Sequence, residues 1–546
     1  MRLAGWLLLV PLLANAGEAP LRLALGQDGG AQLLELDQRQ VLTRQALPAD
    51  LQAPLGSLWK LFVYAYLVDR QQPEQPYACK GQDPEEVYCC NAGEQIERDP
   101  ALTQSCGLYF APARLQLDPV EWSTYWRTRQ APAWLSQLDR LQPATRVPVA
   151  ELLQVLGRLP AAEQARRLLL DVLLNAPEGV ALGGLGGRLR VKTWSWLADH
   201  DQQARQGGFA GWLLDGTPVW AGGAGTSQRI LADYAQALDS ALPTPWPADA
   251  GQCVEVRLFA RYPLRQIVRQ GSEQPVTAGA LQGHYQVQFE NGNRLSIESR
   301  GELFLQPETQ GLQLIARLPR EEYVARVLER EASARPVEAA KALAVAIRTY
   351  LLQNAGHSGD CLSIADSSAQ QRVAPRPAGD AVRAVAAWTA DLVLAGSPVT
   401  YHAELAGPQR LAWQEAVRQA ESGRRYDAIL AGAFPQASLT RWDKPVAACQ
   451  VVVGADAWLK QRQRQWRTRL DAEPGYSDSG TFTVCRLLSG KPHVDRERRR
   501  IFVRGLLSLQ DRLNLTHEYL HLAFEAHPNG QDEQYVERLA RHLLLE

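Results

Sequence analysis

The start of this chain restricts its fold more than any other feature. "MRLAGWLLLVPLLANAG" holds one early positive residue, Arg2, then an apolar run from Leu3 to Ala14, then Ala14-Asn15-Ala16 as an A-x-A cleavage pattern. That is the form of a secretory signal peptide, with an apolar run too short to span a bilayer comfortably. Removal of residues 1–16 and export to the periplasm are expected. No later run of eighteen apolar residues follows, so the mature protein is expected to have no transmembrane segment. In an oxidising compartment the eight cysteines (Cys79, Cys89, Cys90, Cys106, Cys253, Cys361, Cys449 and Cys485) read as disulfide partners. The first four crowd one short segment, and spacing leaves their connectivity open. No C-x-x-C pair occurs, which argues against a zinc site built only of thiolates.

A chain of 546 residues exceeds what one hydrophobic core supports, so two to four domains are expected. The net charge of −1 gives no basic excess for binding nucleic acid or acidic lipid. "LPTPWPADAG" (242–251) is a proline-rich break between domains. After it, "CVEVRLFARYPLRQIVRQ" and "GHYQVQFENGNRLSIESRGELFLQ" alternate apolar and polar residues around an Asn-Gly turn, the pattern of a hairpin sheet. From Pro319 to Ala355 apolar residues recur at helical spacing. The last part is mixed, with strands near "AACQVVV" and "RRIFVRGLL" and two closing helices.

In "APLGSLWKLFVYAYLVD", Ser57 and Lys60 stand three apart at the start of an apolar helix, a hydroxyl and an amine on one face. A buried lysine loses its proton more readily and can serve as base for a serine. "SCGLYF" (105–110) and "RVKTWSWL" (190–197) follow in the order S-x-x-K, S-x-N, K-T-G. With "GGFAGWLLDGTPVWAGG" (207–223), residues 30–240 resemble penicillin-binding proteins and serine β-lactamases. The resemblance implies an α/β domain over 17–242, with Ser57 as nucleophile, Lys60 as base, Ser105 as the catalytic-site serine of S-x-N, and Lys192 and Thr193 for a substrate carboxylate. Gly107 replaces the family's asparagine and Trp194 its K-T-G glycine.

"YVARVLERE" and "EAAKALAVAIRTY", then "ADSSAQQRV" and "AVAAWTADLVLAGSPVTYH", resemble the sporulation stage II protein D family, whose members bind or cleave denuded peptidoglycan glycan strands. An α+β domain over 252–405 is implied, with Glu331 as the acid for a glycosidic oxygen. Ala332-Ser333 replaces the family's Met-Pro, and Ala369 and Gln370 replace metal-binding residues of some members. Without catalysis, Glu331 is one more solvated charge beside Glu321, Glu322 and Glu329.

"LTHEYLHLAFEAH" (515–527) carries H-E-x-x-H. On a helix this sets His517 and His521 on one face as zinc ligands, with Glu518 placed as base. The third ligand is either His527, six residues on, or a carboxylate of the next helix, where Glu533 and Glu537 share a face and Glu537 is taken as the candidate beside His527. A zincin-like α+β region over 406–546, holding zinc, is expected, and "RRIFVRGL" is read as the sheet edge that receives an extended peptide. Phe524 and the absence of any methionine after residue 1 depart from metzincins.

The whole layout resembles a bacterial periplasmic family encoded beside a bacterial α2-macroglobulin, which that resemblance implies as a partner. The expected class is multidomain α+β. The expected function is peptidoglycan processing or binding. A non-catalytic wall-binding or assembly module and a secreted zinc metallopeptidase acting on protein are the alternatives.

Overall fold

The computed structural model describes residues 19–545 except 28, 177–179, 198–204, 248–251, 309–310, 447–448, 478–479, 488–490 and 497–498. The expected signal peptide lies outside the described residues. No helix among them is long and apolar enough to cross a membrane.

The first sheet is wholly antiparallel. Its strands are β1 (Leu21–Gln27), β2 (Gly30–Leu36), β3 (Val41–Ala46), β4 (Leu189–Leu197), β5 (Arg205–Leu213) and β6 (Pro218–Ala224). Their order is β3-β2-β1-β6-β5-β4, so residues far apart in sequence meet at β1–β6, and β4 is an edge. Alternation sends Leu23, Val191, Phe209 and Ala221 into one core and Ala24, Trp194, Ala210 and Trp220 into another. The second core lies against helix α1 (Trp59–Asp69), in which nine of eleven residues are buried. A helix apolar on all sides is stable only when surrounded. Here tryptophans 122, 126, 134 and 212 help to surround it.

The second sheet contains β7 (Cys253–Leu258), β8 (Leu264–Arg269), β9 (Gly279–Phe289), β10 (Arg294–Glu308), β11 (Gly311–Pro319), β12 (Gly356–Ser358) and β13 (Cys361–Ala365). Their order is β8-β9-β10-β11-β7-β13-β12. The β9–β10 hairpin turns at Asn291-Gly292, where Gly292 takes φ +83° as such a tight turn requires. Helices α2 (Arg320–Glu331) and α3 (Val337–Asn354) cover this sheet.

The core does not divide at 242–251: one cluster runs from Leu21 through Val254 and Leu343 to Leu439. Charges seal the same junction. Arg190 on β4 meets Asp391 at 2.8 Å, Asp391 also meets Arg320, and Glu321 joins Arg320 (2.9 Å) to Arg348 (2.5 Å). Glu321 and Glu322, expected to be solvated, are instead buried at 4% and 7% exposure, each held by arginine. A buried carboxylate persists only when paired in this way.

The last part forms its own core around a three-stranded sheet of β14 (Thr483–Arg486), β15 (His493–Asp495) and β16 (Arg500–Val503). The order is β14-β16-β15, so β16 is the central strand and not the free edge expected of "RRIFVRGL". Its ladder groups are taken by β14 on one side and β15 on the other. Among the described residues of "AACQVVV", a single bridge forms, Val451 to Cys485. Helices α4 (Leu509–Ala523) and α5 (Glu533–Leu545) close the chain, and Ser508 and Asp511 form a capping box at the start of α4. Disulfides join Cys79–Cys90, Cys89–Cys106, Cys253–Cys361 and Cys449–Cys485.

Candidate functional site

Ser57 sits half-buried on the short turn Gly56–Leu58 that leads into α1. Gly56 has φ +49°, and a Cβ there would fall 3.0 Å from the Ser195 carbonyl and 3.1 Å from Trp194 Cβ. Glycine therefore lets this turn press directly on β4. One helical turn on, Lys60 is buried, and its Nζ donates to the Ser105 carbonyl at 2.6 Å and to Ser105 Oγ at 3.2 Å. Lys192, fully buried on β4, reaches the same hydroxyl at 2.8 Å and the Thr193 carbonyl at 2.9 Å. Ser105 itself takes the left-handed conformation at a helix end, φ 64°, which aims it at both amines.

Burial drives Lys60 down to about 8, against the pull of the Glu85 carboxylate. Lys192 is pushed well below the ordinary lysine value by burial and by the charge on Lys60. Two amines on one hydroxyl, both depressed, can pass a proton along the line Lys60–Ser105–Lys192. Three of the residues singled out in the first domain (Lys60, Ser105 and Lys192) thus converge, and Ser57 stands on the turn that leads into the helix of Lys60. Thr193 is half-buried beside them and contributes its carbonyl.

The two departures from the family pattern have physical counterparts. A Cβ on Gly107 would lie 2.8 Å from Glu85 Oε2 and 3.4 Å from Lys60 Nζ, so the Glu85 carboxylate fills the space of a side chain at 107. Sequence order could not reveal Glu85. It arrives on a loop cross-linked by Cys79–Cys90 and Cys89–Cys106, and only the density of cysteines hinted that this loop is held in place. Trp194 is 2% exposed and stacks on Trp220 with ring centroids 6.2 Å apart, filling the layer under β4. A cleft of about 440 Å³ lies elsewhere, lined by Asp239, Lys341 and Arg425 among others.

In the middle part Glu331 ends α2. Its carboxylate accepts from Arg372 at the backbone N (2.9 Å), Nε (3.2 Å) and Nη2 (2.9 Å). Gln371 donates to Tyr401 Oη at 2.9 Å and accepts from the Tyr323 hydroxyl, while Tyr350 and Tyr401 pack edge to face. Asp366 is raised by burial, and it accepts from the amides of Phe259 and Val373. Glu331 thus pairs with Arg372 close to Asp366 and Tyr401, while Gln371 and Tyr323 are fully buried beside them.

On α4, His517 and His521 face each other with Nε2 atoms 3.1 Å apart. His517 Nδ1 lies 3.0 Å from Glu537 Oε2, and His521 Nδ1 lies 2.8 Å from the Gly530 carbonyl. Glu533 approaches His517 Nε2 at 3.2 Å. Glu518 is buried at 8% exposure, one residue along the helix from His517. His527 is not part of the group. Its Nδ1 accepts from the Asn529 amide and caps the turn Pro528–Gln531, with its ring packed on Gly475. Phe524 breaks the line from α4, because it ends the helix and buries its ring in the core.

Comparison with known proteins follows this division. Residues 308–394 match the family of stage II sporulation protein, SpoIID. Residues 81–203 and 409–529 match a predicted secreted protein family, DUF2300. These two stretches, separated in sequence by the sporulation-type part, touch in the fold: Arg441 pairs with Asp171 at 2.9 Å, and Arg504 bonds Asn91 at 3.0 Å and the Val87 carbonyl at 2.6 Å. Solved structures similar to part of the chain include L2 complexed with relebactam (17% identity, 42% of this chain, 92% of that one, TM-score 0.27). An ancestral (GNCA) class A β-lactamase is 16% identical over 41% of this chain and 95% of that one, with TM-score 0.29. The Uncharacterized protein YfaQ of Escherichia coli (strain K12) is 54% identical over 542 residues, 99% of each chain. With that likeness along its whole length, and with the secreted-protein match on both sides of a SpoIID part, the chain belongs to the family of YfaQ, the predicted secreted proteins of DUF2300.

Proposed function

We propose that this secreted protein works on the peptidoglycan of the periplasm, its first part acylating Ser57 with a wall peptide while its middle part holds a glycan strand. One observation carries the reading: Lys60 and Lys192, from elements 132 residues apart, share the hydroxyl of Ser105 beside the Ser57 turn. Two buried amines on one half-buried hydroxyl cost desolvation energy, and such perturbed amines cluster at functional sites. In this scheme Ser57 Oγ attacks a carbonyl and gives its proton to neutral Lys60. The departing amine takes that proton back from Lys60 through Ser105, and half-buried Thr193 is the hydroxyl left for the substrate carboxylate. A fluorescent penicillin should label the full chain covalently, and Ser57→Ala should abolish labelling. An unlabelled, folded wild-type protein would sink the acylation reading.

The middle part is read as a binding surface more than a cutting one. Arg372 grips Glu331 through three nitrogens and so occupies the carboxylate face that a glycosidic oxygen would have to reach. Purified denuded sacculi should retain the protein while releasing no new glycan ends. New anhydro ends that vanish in Glu331→Gln would show cleavage instead. No surface among the described residues speaks for a bacterial α2-macroglobulin as partner.

A further inference from the structure

The histidine pair of the last part carries an inference independent of the serine chemistry. His521 Nδ1 faces the Gly530 carbonyl and His517 Nδ1 faces the Glu537 carboxylate, both pure acceptors, so each Nδ1 bears the hydrogen. Both Nε2 lone pairs then point inward, where the Glu533 carboxylate joins them. Three acceptors converging on one point repel one another unless something positive sits between them.

The spacing identifies what fits. The two Nε2 atoms are 3.1 Å apart, and the two oxygens of the Glu533 carboxylate straddle them, Oε2 at 3.2 Å from His517 Nε2 and Oε1 at 3.5 Å from His521 Nε2. A tetrahedral ion with bonds of about 2.0–2.1 Å has edges of about 3.3 Å. Two imidazoles and one carboxylate suit an ion of the zinc type, not magnesium or calcium, which prefer oxygen alone. Among the described residues this is the group whose donor atoms all lie within 4.8 Å of one another.

We propose that His517, His521 and Glu533 bind one zinc-class divalent ion, oriented from behind by Glu537 and the Gly530 carbonyl. The set has three protein ligands, and Glu533 stays 75% exposed, so the fourth position opens to a small ligand from solvent. Glu537, expected from sequence as a ligand, becomes the partner that fixes the His517 ring. His527, held in its capping role, has no part in binding.

The test is zinc uptake by the full chain, measured by elemental analysis after equilibration with zinc chloride, with circular dichroism to confirm folding. One equivalent is expected for the wild type and none for the His517→Ala, His521→Ala double variant. Glu533→Gln should weaken binding by about a hundredfold and Glu537→Gln by about tenfold, while His527→Asn, which keeps a capping acceptor, should bind normally. Cobalt in place of zinc should give the visible bands of a tetrahedral centre. A folded wild type without saturable uptake overturns the proposal. So does a variant series in which His527→Asn loses the metal and Glu533→Gln keeps it.

Discussion

Lys192 Nζ stands 2.8 Å from Ser105 Oγ across 87 residues of sequence, and Lys60 Nζ approaches the same oxygen at 3.2 Å. The hydroxyl is the meeting point of a buried helix, a helix end and an edge strand.

This arrangement sets a pH dependence. Burial brings Lys60 down to about 8, and a base must be neutral to take the proton of Ser57. Below that value the neutral fraction falls about tenfold per pH unit, so penicillin labelling rates should rise with pH and level off above about 8. A flat profile between pH 6 and 9 would remove Lys60 from the role of base.

Glu85 tunes that profile. Its negative charge favours the protonated form of Lys60, so Glu85→Gln should shift the midpoint downward and raise the labelling rate at pH 7 by about twofold, as suits an exposed charge. Gly107→Ala, whose Cβ would displace the same carboxylate, should act in the same direction. The double variant should match the single ones, because both remove one interaction. Additive effects would place Glu85 elsewhere.

The Cys89–Cys106 disulfide joins the loop of Glu85 to the residue after Ser105. Replacing both cysteines by serine should lower the midpoint stability of the first part by about 2–4 kcal/mol. Labelling should fall at temperatures where circular dichroism still reports a folded chain, and sacculus binding by the middle part should persist. Equal loss of both would mean that the cross-link holds the whole molecule, not the site.

Asp391 lies between Arg190 and Arg320, and those charges hold its carboxyl far below the ordinary aspartate value. Asp391→Asn leaves two buried guanidiniums facing each other, a loss of about 2 kcal/mol once partial exposure is allowed for. Since the folded-state value is depressed, the stabilisation is complete above the normal aspartate range and disappears only as pH falls through the folded value. Urea melts at pH 7 should separate variant from wild type, and the gap should narrow in strong acid. A gap independent of pH would make the effect one of packing.

Much of the serine constellation was legible in the chain because its members sit on regular elements. Ser57 and Lys60 are one helical turn apart, and the order Ser105 then Lys192 followed a known pattern. The helix pair after Pro319 and the Asn291-Gly292 hairpin were equally readable from periodicity. What escaped was everything supplied by a partner distant in sequence. Glu85 reaches Lys60 through cross-linked loops, Glu321 and Glu322 gain Arg348 and Arg383 from other elements beside the arginines of their own helix, and "RRIFVRGL" became a central strand because β15 and β14 claimed both its edges.

The H-E-x-x-H pair shows the same boundary within one site. Helical geometry by itself places His517 and His521 on one face, since four residues make slightly more than one turn. Which carboxylate joins them depends on how α5 crosses α4, and crossing angle is set by side-chain packing around Phe524, Tyr535 and Val536, not by spacing along the chain. Sequence alone determined export, cysteine pairing as a class and the local constellations. Tertiary structure decided the ligand, the tuning carboxylate and the continuous core, because those rest on contacts between surfaces that only folding brings together.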